Sequence, residues 1–482
     1  SERETHYFNS VLAILLENGA DPNGVILDRD EPNEVNNSRS VLSEFSYWSS
    51  NANFYNPTAL ELLSQYGLDP MIKYSMLQEN SLMKAIRYEG MSEEVIIKIL
   101  AYFVQRKELD LEQTSSLGST LLIIASQVCH PEIVGWLASN GANMNVVGGF
   151  DNTTALHKCI SNFSHISPVA RSATVKILLK HGVDVNELCP GGDGTPIMNA
   201  ATVGAYQAMV VLIEAGGDVN GSDINGKTAA MCAVNEHGFS YDYEGSMEST
   251  KSRILNLLQE HGADLDTFSN GNESALKNAI YYGYRTIFES LLRLNVSTLN
   301  PDSNGVTPIM WAIEYGDIYF VERLLTYNPD LSKLDHYGRN VIYSCIFRNN
   351  EEEGISLINN FLSKGIRPND LGNGLNILQI AAMNQRSGYI PILSSLADIN
   401  AVDEDGKTPI INAITSDTEI SDEVIIKTIK SLQDNGGDIN LKDSQNRSAF
   451  LYAKSMERLY LAGKLKELGA NASDGDIYIN IL

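Results

Sequence analysis

A segment of about 33 residues recurs along this chain, and this repetition restricts the fold more than any other feature. The clearest copy runs from Gly191 to Asn220 and holds two short apolar stretches with helical spacing, each followed by glycine. One such unit is too small to bury its own apolar face, so it must stack on neighbouring copies. The sequence therefore predicts an extended array of helix pairs.

The turn before the first helix of each unit marks the register of the array. From residue 118 onward, successive turns lie 32 to 46 residues apart. These turn positions are Gly118, Asn152, Asp193, Gly226, Asn272, Gly305, Gly338, Gly374, Gly406 and Asn446. We predict diverged N-terminal repeats over 1–110, a regular array over 111–472 and a capping tail over 473–482, where a docking peptide is the alternative for the tail.

Charge and hydropathy exclude several classes of function. The net charge is −25 and basic residues form no dense cluster, which argues against a nucleic-acid partner. The acidic balance leaves open an attraction to a basic patch on a protein partner. No apolar run approaches the roughly 18 residues that a membrane span requires.

The five cysteines include no CxxC pair, and their odd number implies no disulfide framework. A reducing compartment fits this usage best. We therefore expect an intracellular, cytoplasmic protein.

Short phrases within the units carry a family resemblance. Gly194–Ala201 (GTPIMNAA), Val306–Gly316 (VTPIMWAIEYG) and Lys407–Ile414 (KTPIINAI) resemble the Thr-Pro-Leu-His-x-Ala signature of ankyrin repeats. Closing phrases such as Ala215–Asn220 (AGGDVN) are similar to that family's helix end and loop. The resemblance implies an all-α fold, an α-solenoid of about 11–12 ankyrin repeats with β-hairpin-like loops and several insertions. It also implies a concave groove, lined by the first helices and the loop tips, that binds a partner.

Candidate catalytic groups are few. His157 and Cys159 are two residues apart, so they do not face each other on a helix, and His157 aligns with the histidine of the family signature. No set of residues has metal-ligand spacing, and no phosphate-binding loop is present. We expect no enzyme activity, no cofactor and no metal.

The groove position after the small pair Ala200–Ala201 becomes aromatic in later units. In the clearest copy this position holds Thr202 and Val203, which offer little contact area. Aromatic residues and arginine are enriched at binding hot spots. The partner-binding residues predicted from this pattern and its surroundings are Tyr281, Tyr282, Trp311, Tyr315, Tyr337, Phe347 and Arg348. For Trp311, packing between helices is an equal alternative.

An insertion after Asn225 adds Phe239, Tyr241 and Tyr243 to the predicted partner-binding residues. An exposed loop rarely holds three aromatic residues, so this loop either packs back on the array or contacts a partner.

The leading hypothesis is a monomeric, non-enzymatic scaffold that binds a partner protein in the groove. The composition resembles that of ankyrin effectors that intracellular bacteria secrete into the host cell cytosol, and a eukaryotic cytoplasmic adaptor is the alternative origin. A second hypothesis makes the chain the substrate-targeting region of a larger enzyme whose catalytic domain precedes residue 1. An enzyme built from the insertions ranks last.

Overall fold

Short capped helices begin the repeats. The hydroxyl groups of Thr195 and Thr408 accept hydrogen bonds from the backbone N–H groups of Met198 and Ile411, both at 3.4 Å. A proline follows each of these threonines and fits the first helical turn, because its missing N–H would have no partner there. The Thr-Pro phrases of the sequence are therefore helix starts.

The computed structural model describes residues 2–18, 20–22, 25–26, 39–40, 57–71, 73–74, 79–87, 92–149, 151–161, 166–189, 194–235, 246–368, 375–416 and 419–471. The chain divides into two units, Ser1–Ala275 and Leu276–Leu482. The domain boundary predicted near residue 110 stays a prediction, and the predicted tail over 473–482 lies outside the described residues.

The first unit consists of helix pairs and very short antiparallel strand pairs. Its helices are Glu2–Glu17, Pro57–Gln65, Ser81–Arg87, Glu93–Gln105, Leu121–Gln127, Pro131–Ser139, Ala155–Ser161, Pro168–Lys180, Pro196–Val203, Tyr206–Glu214, Ala229–Ala233 and Met247–Glu260. Its paired strands are Val25–Ile26 with Arg39–Ser40, Lys73–Tyr74 with Glu79–Asn80, and Val147–Gly148 with Thr153–Thr154. In the last of these pairs Val147 lies opposite Thr154, directly before a first helix.

The second unit continues the helix pairs. The helix Ala275–Tyr281 begins at the last residue of the first unit. The helices that follow it are Arg285–Arg293, Pro308–Glu314, Ile318–Leu325, Val341–Phe347, Glu351–Ser363, Ile377–Met383, Ile390–Leu393, Pro409–Thr415, Asp422–Asp434, Ala449–Ser455 and Leu459–Glu467, with a 3-10 turn at Ser387–Tyr389. The predicted all-α solenoid of paired helices is confirmed. Among the described residues, no helix combines the length and the apolarity that crossing a bilayer requires.

The first helix of a repeat packs against the first helices of the neighbouring repeats. This contact explains why first helices contain small residues. Within the first unit, the first helix Pro196–Val203 contacts the first helices Ala155–Ser161 and Ala229–Ala233. Ala200 and Ala201 are fully buried at these contacts, where a small side chain lets neighbouring backbones approach closely. The core therefore runs from one repeat to the next.

Asparagines after the second helices join consecutive repeats. In the second unit, Asn400 donates to the carbonyl oxygen of Gly436 (3.2 Å) and accepts from the N–H of Asp438 (2.8 Å). Asn440 makes the same two bonds one repeat later, to Gly469 (3.3 Å) and Asn471 (2.8 Å). These side chains satisfy backbone groups that the helix end leaves without intrahelical partners.

The turn between the two helices of a repeat has left-handed backbone geometry. Gly204 adopts a φ of 77° there, and Glu457 adopts 58° at the equivalent turn of the last repeat described. A left-handed non-glycine residue costs about 1–2 kcal/mol, whereas glycine loses about 0.5–1 kcal/mol in extra chain entropy. We therefore expect Glu457→Gly to raise the free energy of unfolding by about 0.5–1 kcal/mol, measured by urea denaturation.

Glu467→Gly is the matched control for this substitution. Glu467 is also exposed, but it ends the helix Leu459–Glu467 with ordinary helical geometry. Glycine there should lower the free energy of unfolding, by up to about 1 kcal/mol. Destabilisation of both variants would contradict the strain assigned to Glu457.

Candidate functional site

Three tyrosines from two consecutive repeats lie side by side on the second unit. Tyr281 ends the helix Ala275–Tyr281 and Tyr282 follows it, while Tyr315 follows the next first helix, Pro308–Glu314. The ring of Tyr281 is 5.2 Å from that of Tyr282 and 5.9 Å from that of Tyr315, both in edge-on geometry. The ring of Tyr281 therefore contacts one ring of its own repeat and one ring of the next repeat.

These rings are exposed in spite of their mutual contacts. Tyr281 is 61% exposed and Tyr315 is 52% exposed, and Tyr282 is partly buried. Tyr284 packs against Tyr282 with a centroid distance of 5.7 Å. The sequence reasoning missed Tyr284, although it stands in the same Tyr-Tyr-Gly-Tyr run.

Tyr337 extends from a loop tip whose geometry is fixed. The Asp335 carboxylate accepts the backbone N–H groups of Tyr337 and Arg339, each at 2.9 Å, and pairs with the Arg339 guanidinium at 2.7 Å. The guanidinium lies 4.9 Å from the centroid of the Tyr337 ring, which remains 63% exposed. We call Tyr281, Tyr282, Tyr315 and Tyr337 the tyrosine surface.

A partly buried carboxylate, Glu314, lies beside the tyrosine surface. Its Oε1 accepts a hydrogen bond from the Ser344 hydroxyl at 2.8 Å. Burial raises the pKa of Glu314, while the Ser344 bond and the charge of Arg339 partly offset that rise. Burial, and then the charge of Glu314, raises the pKa of Tyr315. Glu314 was not among the predicted site residues, although it occupies the groove position directly before Tyr315.

Trp311 belongs to the core, so its prediction as a partner contact is wrong. Its side chain is 1% exposed, and Tyr343 one repeat later is equally buried. The Lys277 ammonium lies 5.4 Å from the centroid of the Trp311 ring and 3.5 Å from the Asp302 carboxylate. The alternative weighed for Trp311, packing between helices, is correct.

Arg348 is also internal, which corrects its prediction as a partner contact. It is 4% exposed, and its Nη1 donates to the carbonyl oxygens of Ile313 (3.0 Å) and Gly316 (2.9 Å) in the preceding repeat. Its guanidinium also pairs with Glu353. Arg348 thus satisfies helix-end carbonyls and joins two repeats.

The partner-binding role of the four residues of the tyrosine surface stays a prediction, as does that of the remaining predicted residues. Phe347, the last residue of the helix Val341–Phe347, is partly exposed. Phe239, Tyr241 and Tyr243 lie outside the described residues.

The histidine and cysteine considered for catalysis are both buried. The His157 Nδ1 lies 2.7 Å from the Thr154 hydroxyl, and burial lowers the pKa of His157. Cys159 lies 3.3 Å from the Sγ of Cys129, and burial raises the pKa of Cys159, which disfavours the reactive thiolate. Within the part of the chain that the structure describes, no group of three or more histidine, cysteine, aspartate or glutamate side chains has the arrangement of a metal site.

Known proteins match both units. The family described as ankyrin repeats matches in three copies, over residues 82–187 and 276–369, and the second range contains the tyrosine surface. The chain is 28% identical over 205 residues to ankyrin repeat and KH domain-containing protein mask-1 of Caenorhabditis elegans. It is 26% identical over 272 residues to Protein glp-1 of the same organism. These matches cover 42% and 55% of this chain but only 7% and 17% of those two proteins.

A solved structure, the ankyrin repeat domain of Bcl-3, aligns with a TM-score of 0.41 and 20% identity over 52% of this chain and 98% of that chain. The fold assignment rests instead on the stacked helix pairs, their capped first turns and the matched repeats. By these features residues 82–187 and 276–369 are ankyrin repeats, and the chain is an ankyrin-repeat protein over these ranges.

Proposed function

We propose that the chain binds a partner protein through the tyrosine surface of its second unit. Ankyrin repeats are typically protein–protein interaction modules, and the finer assignment rests on one observation. Tyr281 and Tyr315 touch each other, yet more than half of each side chain is open to solvent. Tyrosines combine a large apolar face with a polar tip and few rotatable bonds, so such a cluster suits a binding hot spot.

A non-enzymatic role is part of the proposal. The burial of His157 and Cys159 supports it, because a substrate would have to reach both side chains. Five cysteines without a disulfide support an intracellular setting. The monomeric state, the absence of a nucleic-acid partner, the effector origin and the alternative of a targeting region in a larger enzyme stay predictions.

Three tyrosine substitutions test the proposal. We expect Tyr281→Ala/Tyr315→Ala/Tyr337→Ala to weaken partner binding by at least about 30-fold, because truncating a hot-spot side chain costs about 2 kcal/mol or more. The partner is first isolated by affinity capture on the wild-type chain and then purified. Its Kd for each variant is measured by titration calorimetry.

Tyr327→Ala/Tyr460→Ala provides the matched control. Both of these tyrosines are also exposed on the second unit, but neither belongs to the tyrosine surface. The control should retain the wild-type Kd. A folded triple variant with an unchanged Kd would rule out the tyrosine surface as the binding site.

A further inference from the structure

We propose that Tyr281, Tyr315 and Glu314 together bind an arginine side chain of the partner protein. This inference rests on the proposed function, since it names the chemistry that the tyrosine surface recognises. Three observations carry it: the arrangement of the two rings, the balance of charges around them, and the contrast with other exposed tyrosines of the same unit.

The two rings form an open angle. Their planes meet at 61° with centroids 5.9 Å apart, and both side chains are more than half exposed. A planar guanidinium can stack on one ring face while its N–H groups reach a neighbouring carboxylate. Glu314 directly precedes Tyr315 and is partly exposed, so a carboxylate stands next to the rings.

Other exposed rings of this unit already carry a cation from the chain itself. Arg339 lies 4.9 Å from the Tyr337 centroid, and Arg323 lies 5.2 Å from the Tyr327 centroid. Among the described residues, the ring contacts of Tyr281 and Tyr315 are with other tyrosines instead. Both side chains are still more than half exposed, which leaves room for a cation from outside the chain.

The charges around Glu314 leave one negative charge in excess. The Arg339 charge is compensated by Asp335 at 2.7 Å, and the Lys277 charge is compensated by Asp302 at 3.5 Å. The hydrogen-bond partners of Glu314 are neutral hydroxyl groups, those of Ser344 and Tyr315. Burial raises the pKa of Glu314 because it disfavours the charged form. A cation bound beside the carboxylate would stabilise that charged form. The net charge of the whole chain, −25, also favours a partner segment that is basic.

Arginine fits this cluster better than lysine does. A guanidinium is planar, stacks on aromatic rings and donates two parallel hydrogen bonds to one carboxylate, whereas an ammonium is a compact and strongly hydrated charge. The occupant is therefore an arginine within an exposed segment of the partner.

Three small probes test this assignment without the partner. The full chain, with its tyrosine rings isotopically labelled, is titrated with N-acetyl-arginine amide, N-acetyl-lysine amide or N-acetyl-citrulline amide. The ring signals of Tyr281 and Tyr315 are assigned from the Tyr281→Phe and Tyr315→Phe variants. We expect the arginine probe to shift both signals with at least about tenfold higher affinity than citrulline, which has the same shape and no charge.

Glu314→Gln should weaken binding of the arginine probe by about tenfold, whereas Glu322→Gln, at an exposed acid of the same unit, should not change it. Unchanged thermal melting of both variants shows that they are folded. Binding should also weaken as the pH falls and Glu314 becomes protonated, beginning at a higher pH than for an ordinary glutamate. The other charged groups facing Glu314 are Arg339 and Asp335, which pair with each other.

Equal affinity for arginine and citrulline, tighter binding of lysine, or no effect of Glu314→Gln would each overturn the inference. If the arginine probe fails while the triple tyrosine variant still loses the partner, this inference falls and the proposed function stands. If the probe binds as expected but the triple variant keeps the partner's Kd, the proposed function is wrong. The cluster then binds arginine, but it is not the site that binds the partner.

Discussion

Replacing Trp311 with alanine is expected to lower the free energy of unfolding of the second unit by about 3–5 kcal/mol. The indole ring is 1% exposed and lies in the first helix Pro308–Glu314, which packs against the next first helix, Val341–Phe347. Removing it leaves a cavity between stacked repeats that the surrounding side chains can fill only in part. Urea denaturation followed by circular dichroism measures the loss.

Tyr315→Ala is the matched control for this substitution. Tyr315 lies four residues further along, directly after the same helix, but 52% of its side chain is open to solvent. We expect its substitution to change the free energy of unfolding by less than about 1 kcal/mol. If Trp311→Ala had as small an effect and instead removed the partner, the assignment of Trp311 to the core would be wrong.

Arg348→Ala is expected to cost about 3 kcal/mol of unfolding free energy, because buried hydrogen bonds to carbonyl oxygens are lost together with an ion pair. The Arg348 guanidinium donates to the carbonyl oxygens of Ile313 and Gly316 and pairs with Glu353. Without it, the two carbonyls of the preceding repeat lose a donor in a site that water hardly reaches. Urea denaturation again measures the change.

Arg285→Ala controls for the loss of an arginine as such. Arg285 pairs with Asp317 at 2.5 Å on the exposed face of the same unit. Exposed ion pairs contribute about 1 kcal/mol at most. Arg348→Lys should recover only part of the stability, because an ammonium cannot reproduce the planar set of donors. Equal effects of Arg285→Ala and Arg348→Ala would contradict the joining role of Arg348.

The sequence predicts the repeat period and the paired helices well, because both depend on local chemistry. Thr195 and Thr408 cap helices as their Thr-Pro phrases predict, and the small pair Ala200–Ala201 packs between first helices. Register also predicts that Tyr281 and Tyr315 lie at the ends of first helices in consecutive repeats, and they do: Tyr281 ends its helix and Tyr315 follows the next one. Their role in partner binding stays a prediction.

The prediction for Arg348 fails because its backbone departs from that of the earlier repeats. Tyr315 continues the helical geometry after its helix and is followed by Gly316, whereas Arg348 is extended, with φ −64° and ψ 134°, and is followed by Asn349. The extended geometry turns the guanidinium toward the preceding repeat. Tyr315 and Arg348 therefore occupy equivalent positions in the sequence, but the side chain of Tyr315 is exposed and that of Arg348 is buried.

Contacts between repeats account for what the sequence could not predict. The place of Trp311 depends on Lys277 in the preceding repeat, and the environment of Glu314 depends on Ser344 and Arg339 in the following one. Such pairs lie about one repeat apart in the chain, and no local pattern links them. A structure is needed to separate a buried aromatic residue from an exposed one at the same repeat position.

Hydrogen–deuterium exchange of the full chain, with and without the purified partner, shows whether the partner binds at the tyrosine surface. We expect slower exchange on binding in the segments 279–284, 312–317 and 335–339, which hold the tyrosine surface. Exchange in 449–467, the last helix pair of the same unit, should be unchanged. Protection confined to that last helix pair or to the first unit would contradict binding at the tyrosine surface.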